Sequence, residues 1–459
     1  MTATPSISDS LELPISKRCI SNRLLKAALT ETLADPNTCQ PNERHFTLYE
    51  TWSQGGCSMI LTGNVMVDRE HRESPRNVVL DGDSDLADFQ HWANAIHSHS
   101  DGYNSKPLAI MQISHPGRQC PLACTRREIT PVSSSSAQQA RLVLPGILGA
   151  ICGKCLIRPA RALGRQELPS IVQKYATTAN LAEKAGWDGV QIHAAHGYLL
   201  SQFLSPSANH RTDEYGGKKG RKKLLLEVIA AVREATSPSF VVGIKINTKD
   251  RAAEGSERET ECLHLIQDLC DLQQLDFIEL SGGNYEDAIF ITATDDAAAT
   301  TTGIFGSFAE RLQAQLQVTE ATPKFVLTGG FRTKAGMQQA LQQNLCNMIG
   351  LGRPVITNPR FSKDILDGNY VDDDDDPVSS TLRAPVFQEI LNAALNSLWY
   401  QRQLHRLSIG LSPNPKLSYI YTLVVSFWVA YIWDFKFQGH AAYKQNKKAN
   451  GSTENKQEN

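Results

Sequence analysis

The sequence predicts an α/β fold, a (β/α)8 TIM barrel with capping insertions and a C-terminal helical tail. Strand-like apolar runs alternate with helical segments along most of the chain, which is the rhythm of βα units. Each run ends in polar or glycine-rich sequence, as expected where parallel strands are buried on both faces and the loops at their carboxyl ends hold ligand. The patterned part is about 360 residues long, which suits one barrel with insertions better than two small domains.

The first strand precedes or includes Leu24 to Leu29. Seven further runs follow: Ser58 to Thr62, Leu108 to Ile113, Val190 to His193, Phe240 to Ile246, Phe277 to Leu280, Phe325 to Leu327 and Asn347 to Gly350. Before the fourth strand, the segment AEKAGWDGVQI reads as a helix that closes at Gly186 and leads into a buried strand. After Tyr370 the acidic run Asp372 to Asp376 and Pro377 end the barrel pattern, as a solvated turn would. A helical segment starts at Val386. The organisation expected is a barrel over 10–370, a helical extension over 371–415, an apolar segment over 416–434 and a disordered tail over 435–459. Leu417 to Trp433 carries 17 residues without a charge, the short limit for spanning a bilayer. Both a membrane contact and a helix packed on the barrel fit it.

A net charge of -2 and a pI near 6.6 provide no field for steering nucleic acid. The polar amino terminus lacks an apolar signal core, so an intracellular, reducing compartment is expected, and the ten cysteines are read as thiols. Cys120 with Cys124, and Cys152 with Cys155, have spacings that zinc sites use, but nothing in the sequence brings the two pairs together.

The densest chemistry lies in HAAHGYLLSQFLSPSANHRTDEYGG, from His193 to Gly217. It sets His193, His196 and Tyr198 at offsets i, i+3 and i+5 at the carboxyl end of a strand, the end of a barrel that carries function. Any one of them alone would be read as a core residue; three together point to a site. The segment resembles the signature of the old yellow enzyme family, the FMN-dependent NAD(P)H:flavin oxidoreductases, in the branch that carries a histidine pair. Further blocks agree in order: SNRLLKAALTET from Ser21, GCSMILTGNVMVD from Gly56, MQISHPGRQ from Met111, VVGIKIN from Val241, LTGG from Leu327 and IGLGRP from Ile349.

That resemblance implies FMN as cofactor and NADH or NADPH as reductant. Barrels of this kind hold phosphate on glycine-rich loops after the last two strands, where Gly329, Gly330, Gly352 and Arg353 stand, with Phe331 adding a backbone donor. By resemblance Gln112 binds the pyrimidine edge of the flavin, Thr30 touches it near O4, and Ala27, Ala28 and Gly63 form neighbouring wall. Lys245 stands where relatives carry arginine beside N1 and O2, and it brings a point charge in place of a fork. Ala28 replaces a frequent proline. His193 and His196 would donate hydrogen bonds to a substrate carbonyl oxygen, and Tyr198 would protonate the α carbon while the β carbon receives hydride. Arg118, Asn209, His210, Arg211 and Tyr215 either line the mouth or fix the loop, and the basic run Lys218 to Leu225 departs from the family motif. With no cysteine after Cys346, an iron-sulfur cluster of the larger relatives is disfavoured.

Three functions remain open at this point. The first is reduction of the activated C=C bond of an α,β-unsaturated carbonyl compound, as in tailoring a secondary metabolite. The second is an NAD(P)H oxidase or quinone reductase. The third is a catalytically idle scaffold anchored through residues 417–433.

Overall fold

The computed structural model describes residues 4–98, 106–121, 129–135, 159–248, 256–281, 306–370, 389–418, 421–422 and 424–425. Cys124, Cys152, Cys155, the acidic run at 372–376, most of the 417–433 segment and the 435–459 tail lie outside those residues.

Eight parallel strands close into a barrel: β1 (Leu24–Lys26), β2 (Met59–Met66), β3 (Leu108–Ser114), β4 (Gly189–Ala194), β5 (Val241–Asn247), β6 (Phe277–Ser281), β7 (Lys324–Thr328) and β8 (Met348–Leu351). Neighbours in sequence are neighbours in the ring, and β8 returns to pair with β1. The helices are α1 (Glu43–Ser53), α2 (Leu86–His97), α3 (Leu168–Lys184), α4 (Leu199–Leu204), α5 (Gly217–Gly220), α6 (Lys223–Glu234), α7 (Glu257–Asp271), α8 (Gly306–Gln315), α9 (Lys334–Gln342), α10 (Arg353–Thr357), α11 (Phe361–Leu366) and α12 (Glu389–Leu407).

Alternation along each strand divides the side chains into two sets. On β4 and β5, Val190, Ile192, Val242, Ile244 and Ile246 point outward to a core shared with Tyr175 and Ala179 of α3 and Leu225 and Ile229 of α6. The helix α3 forms because its apolar residues recur on one face, burying Leu168, Ile171, Tyr175, Ala179 and Ala182. Inward residues near the strand beginnings, among them Met59, Ile110, Val241, Phe277 and Met348, fill the lower barrel. Leu13 and Ile20, at the antiparallel pair Leu11–Glu12 and Cys19–Ile20, plug that end. The upper interior is polar, with Gln112, Gln191, His193, Lys245 and Glu279 all buried there.

Two strands depart from the sequence expectation by more than one residue at an end. The strand expected to end at Thr62 runs on to Met66 through a register shift between Leu61 and Asn64. The first strand stops at Lys26, so Ala27 to Thr30 belong to a loop above the barrel. The helical extension is described as α12, which packs on α10 and α1 and buries Trp399, Gln403, Leu404 and Leu407. Among the described residues no helix is long and apolar enough to cross a membrane. The described cysteines are free thiols, and Cys120 is buried with its thiol donating to the Gly117 carbonyl at 3.3 Å.

Candidate active site

A cavity of about 570 Å3 opens at the carboxyl ends of the strands, within the range of roughly 300–1,000 Å3 usual for small-molecule sites. Of the predicted site residues, Ala27, Ala28, Thr30, Gln112, His193, His196, Tyr198, Lys245, Gly329, Gly330, Phe331, Gly352 and Arg353 all line it. Gly63 does not. It lies at the register shift of β2, where its N–H donates to Glu31 Oε1 at 2.8 Å and a Cβ would meet Glu31 Oε2 at 2.2 Å and the Leu29 carbonyl at 2.4 Å. Its need for glycine is close packing against Glu31, one layer behind the cavity.

Register builds the floor. Lys245 pairs across to His193 on β4 and to Glu279 on β6. The Lys245 ammonium stands 3.1 Å from Glu279 Oε1. The other Glu279 oxygen accepts from Gln191 Nε2 at 2.7 Å, and Gln191 Oε1 accepts from Gln112 Nε2 at 2.5 Å. Lys245, expected as a point charge in place of an arginine fork, is half of a buried ion pair. Glu279 was missed, although an acidic residue inside the apolar run FIELS is a signal that could have found it.

The histidines end β4. His193 Nδ1 lies 2.8 Å from Asn64 Oδ1, and His193 Nε2 lies 3.2 Å from His196 Nδ1. His196 Nε2 is 3.0 Å from the Ser281 hydroxyl. His196 holds a left-handed backbone, φ 58°, a conformation that costs a non-glycine residue energy, and its N–H donates to Asn247 Oδ1 at 3.1 Å. Burial, with Lys245 nearby, holds both imidazoles well below their usual pKa of 6.5, so both are neutral at pH 7. Asn64 Nδ2 donates to Glu73 Oε1 at 2.8 Å, which turns the Asn64 oxygen toward His193 Nδ1.

Tyr198 opens α4, its ring 4.7 Å from that of His193. Its hydroxyl donates to Glu73 Oε2. Glu73 and Asn64 also line the cavity, as do Asn396, Ser397, Tyr400, Gln401 and Leu404 of α12. Gln401 Nε2 donates to the Thr32 hydroxyl at 2.8 Å and fastens that helix to the loop after β1. Asn64 lies within a block that resembles the family and the α12 residues within an expected helix, but nothing along the chain places either at the cavity, and Glu73 lies in a stretch with no period.

Gly329 and Gly330 have φ values of 120° and 84°, which leave their backbone uncovered at the end of β7, and Gly352 with Arg353 begins α10 after β8. Beside them the Thr328 hydroxyl is buried with no hydrogen-bond partner among the described residues, on a wall of the cavity. An unmet donor, bare glycine backbone and an arginine at one end, with Gln112 and Lys245 at the other, fit the phosphate and the pyrimidine edge of FMN.

The loop after α4 is held by its own bonds. Asn209 Nδ2 donates to the Phe203 and Tyr215 carbonyls, each at 2.8 Å. Arg211 binds Asp213 and the Leu163 carbonyl, and Tyr215 bonds Glu227. Neither these residues nor Arg118 and His210 line the cavity. The basic run is likewise paired, Arg221 with Glu261 at 2.5 Å, Lys218 with Glu257 at 3.2 Å, and Lys222 with Asp268.

A parallel barrel with a cavity at the carboxyl ends of its strands is the architecture of an α/β-barrel enzyme. A model of the NADH:flavin oxidoreductase / NADH oxidase family matches residues 13–371, and the chain belongs to that family. It is 31% identical over 414 residues to the NADH-dependent flavin oxidoreductase iccE of Talaromyces variabilis, covering 86% of this chain and 97% of that one. It is 35% identical over 375 residues to the NADH-dependent flavin oxidoreductase nadA of Aspergillus parasiticus, covering 78% of each. The structure of an old yellow enzyme homologue from Zymomonas mobilis superposes with a TM-score of 0.64 at 25% identity, over 83% of this chain and 98% of that one. The protein is an oxidoreductase with FMN as cofactor and a nicotinamide as reductant.

Proposed function

We propose that the protein reduces the activated C=C bond of an α,β-unsaturated carbonyl compound, with His193 and His196 as the carbonyl-binding pair and Tyr198 as the proton donor. The observation that carries this reading is a phenol and two facing neutral imidazoles on one wall of one cavity. Bound FMN supplies a carrier of hydride between nicotinamide and substrate. Gly329, Gly330, Phe331, Gly352 and Arg353 hold its phosphate in this reading, Gln112 and Lys245 its pyrimidine edge, and Ala27, Ala28 and Thr30 its neighbouring wall.

The chain's own groups do the rest. A neutral imidazole polarises a carbonyl by donating a hydrogen bond without giving up its proton, and charge drawn to the oxygen makes the β carbon electrophilic. Tyrosine remains protonated at neutral pH and can hand a proton to the α carbon. Leu29, Phe331, Ile356, Tyr400 and Leu404 give the cavity apolar wall, which favours an apolar substrate such as a secondary metabolite. In this reading residues 10–370 are the catalytic unit and the helix within 371–415 is its cap.

The experiment is an anaerobic titration of the yellow holoprotein with NADH or NADPH, followed by a simple cyclic enone. Bleaching by one nicotinamide and recovery of colour on enone addition is the expected result. Bleaching without recovery on enone, but with recovery on a quinone, would replace this reading with that of a quinone reductase. A protein that takes up no FMN would point to an idle scaffold.

A further inference from the structure

Behind the Tyr198 hydroxyl stands a carboxyl group that the reading above leaves unused. Glu73, on the segment after β2, accepts hydrogen bonds from the Tyr198 hydroxyl, from Asn64 Nδ2 at 2.8 Å, and from the Thr30 hydroxyl and Asn77 Nδ2, each at 3.3 Å. The titratable groups around it come from its own segment and four other parts of the fold. Glu31 lies on the loop after β1, His193 on β4 is reached through Asn64, and Lys245 on β5 shares the cavity. Arg72, on Glu73's own segment, donates to the Pro75 carbonyl and the Cys39 sulfur, and His405 of α12 sits against the Glu31 carbonyl.

We propose that Glu73 is the proton-holding residue of the site: as a neutral acid it passes its proton to the Tyr198 oxygen as that oxygen gives its own to the substrate α carbon. The proposal rests on the reading of Tyr198 as proton donor. The bonds broken are Tyr198 O–H and Glu73 O–H, and the bonds formed are Cα–H and a new Tyr198 O–H. Negative charge ends on the Glu73 carboxylate, which regains a proton from water between turnovers. The β carbon would take hydride from the reduced cofactor, so the alkene is reduced by two electrons and the cofactor oxidised by two, while the relay through Tyr198 and Glu73 moves protons only.

The physical case is the mismatch between a phenol and its task. A tyrosinate left in a buried site is a poor place for charge, with a conjugate acid near pKa 10, whereas a carboxylate holds charge far better. Burial, with Glu31 adding to it, pushes the Glu73 carboxyl above its usual range, against the pull of its amide and hydroxyl donors.

The test is the rate at which a cyclic enone reoxidises the NADH-reduced holoenzyme, followed by stopped flow from about pH 5 to about pH 9, in wild type, Glu73→Gln and Tyr198→Phe. Because the acid form is the active one, the wild-type rate falls as pH rises through the Glu73 titration. Glutamine keeps the size and both hydrogen-bonding senses but releases no proton. E73Q is therefore expected to lose that limb and to run about 10-fold or more slower on the acid side. An E73Q protein with wild-type rate and profile, or a slower one that keeps the limb, would overturn the proposal. If Y198F matched wild type, the Tyr198 reading itself would fall. A check on the wild type alone uses mixtures of H2O and D2O: two protons in flight give a bowed dependence of rate on deuterium fraction, and a straight line would refute the relay.

Discussion

Replacing Lys245 with Met should cost the fold more than any other single change in the cavity. The Lys245 ammonium is 3.1 Å from Glu279 Oε1, with the two side chains 6% and 0% exposed. After the substitution, the Glu279 carboxylate keeps one neutral donor, Gln191 Nε2 at 2.7 Å, and loses its ion-pair partner, leaving the buried Lys26 as a more distant charge. Breaking a buried pair from one side costs about 3–5 kcal/mol, because it strands a charge out of water. Adding Glu279→Gln to K245M removes that charge and should restore most of the loss, since a buried pair is often close to neutral against an uncharged replacement. The assay is urea unfolding of wild type, K245M, E279Q and the double variant, each over a series of FMN concentrations and extrapolated to zero FMN, so that a change in FMN affinity is separated from a change in the fold. A K245M protein within about 1 kcal/mol of wild type, or a double variant no more stable than K245M, would refute the buried pair.

The other expectations concern the wall and the fold. Tyr198→Phe should retain FMN but slow alkene reduction by roughly 10²-fold or more, read from enone turnover at saturating NADH. The double change of His193 and His196 to Ala should weaken binding of a simple phenol, followed by its long-wavelength absorbance with the flavin; unchanged affinity would remove the pair from the carbonyl site. Gly63→Ala should lower thermal stability by about 1–3 kcal/mol, because its Cβ would fall 2.2 Å from Glu31 Oε2 and 2.4 Å from the Leu29 carbonyl. Acidification should destabilise the protein: burial lowers His45 to about 3 and His115 to about 4, so the unfolded chain binds more protons below pH 6.5. His45 alone gives up about 2 kcal/mol between pH 6.5 and pH 5, and unfolding free energies equal at both values would show that these rings are not buried neutral.

Much of this protein could be read along the chain because its information is local. The βα rhythm follows from strands buried on both faces, which forces apolar runs such as VVGIKIN into the sequence. The cluster of His193, His196 and Tyr198 lies within six residues, so one strand end and one turn place all three. The glycines after β7 and β8 announce bare backbone by residue type alone.

What only the tertiary structure decided is how those residues are partnered. Parallel strands in a closed ring bring together residues that are far apart in sequence, and the register chooses which of them meet. Lys245 gains Glu279 in this way, and His193 gains Asn64. Glu73 sits in RESPRN, a stretch with no helical or strand period, and its meaning arises only when β4 delivers the Tyr198 hydroxyl to it. Gly63 went the other way: its block resembles the family, but a register shift turns it from the cavity toward Glu31. The cap formed by α12 is equally invisible from the barrel sequence, since Gln401 and Thr32 are joined by packing across the molecule. Residue type and local order fixed which chemistry the chain possesses; closure of the barrel determined the charge and proton partner of each group, because those depend on atoms within a few ångströms whatever their distance along the chain.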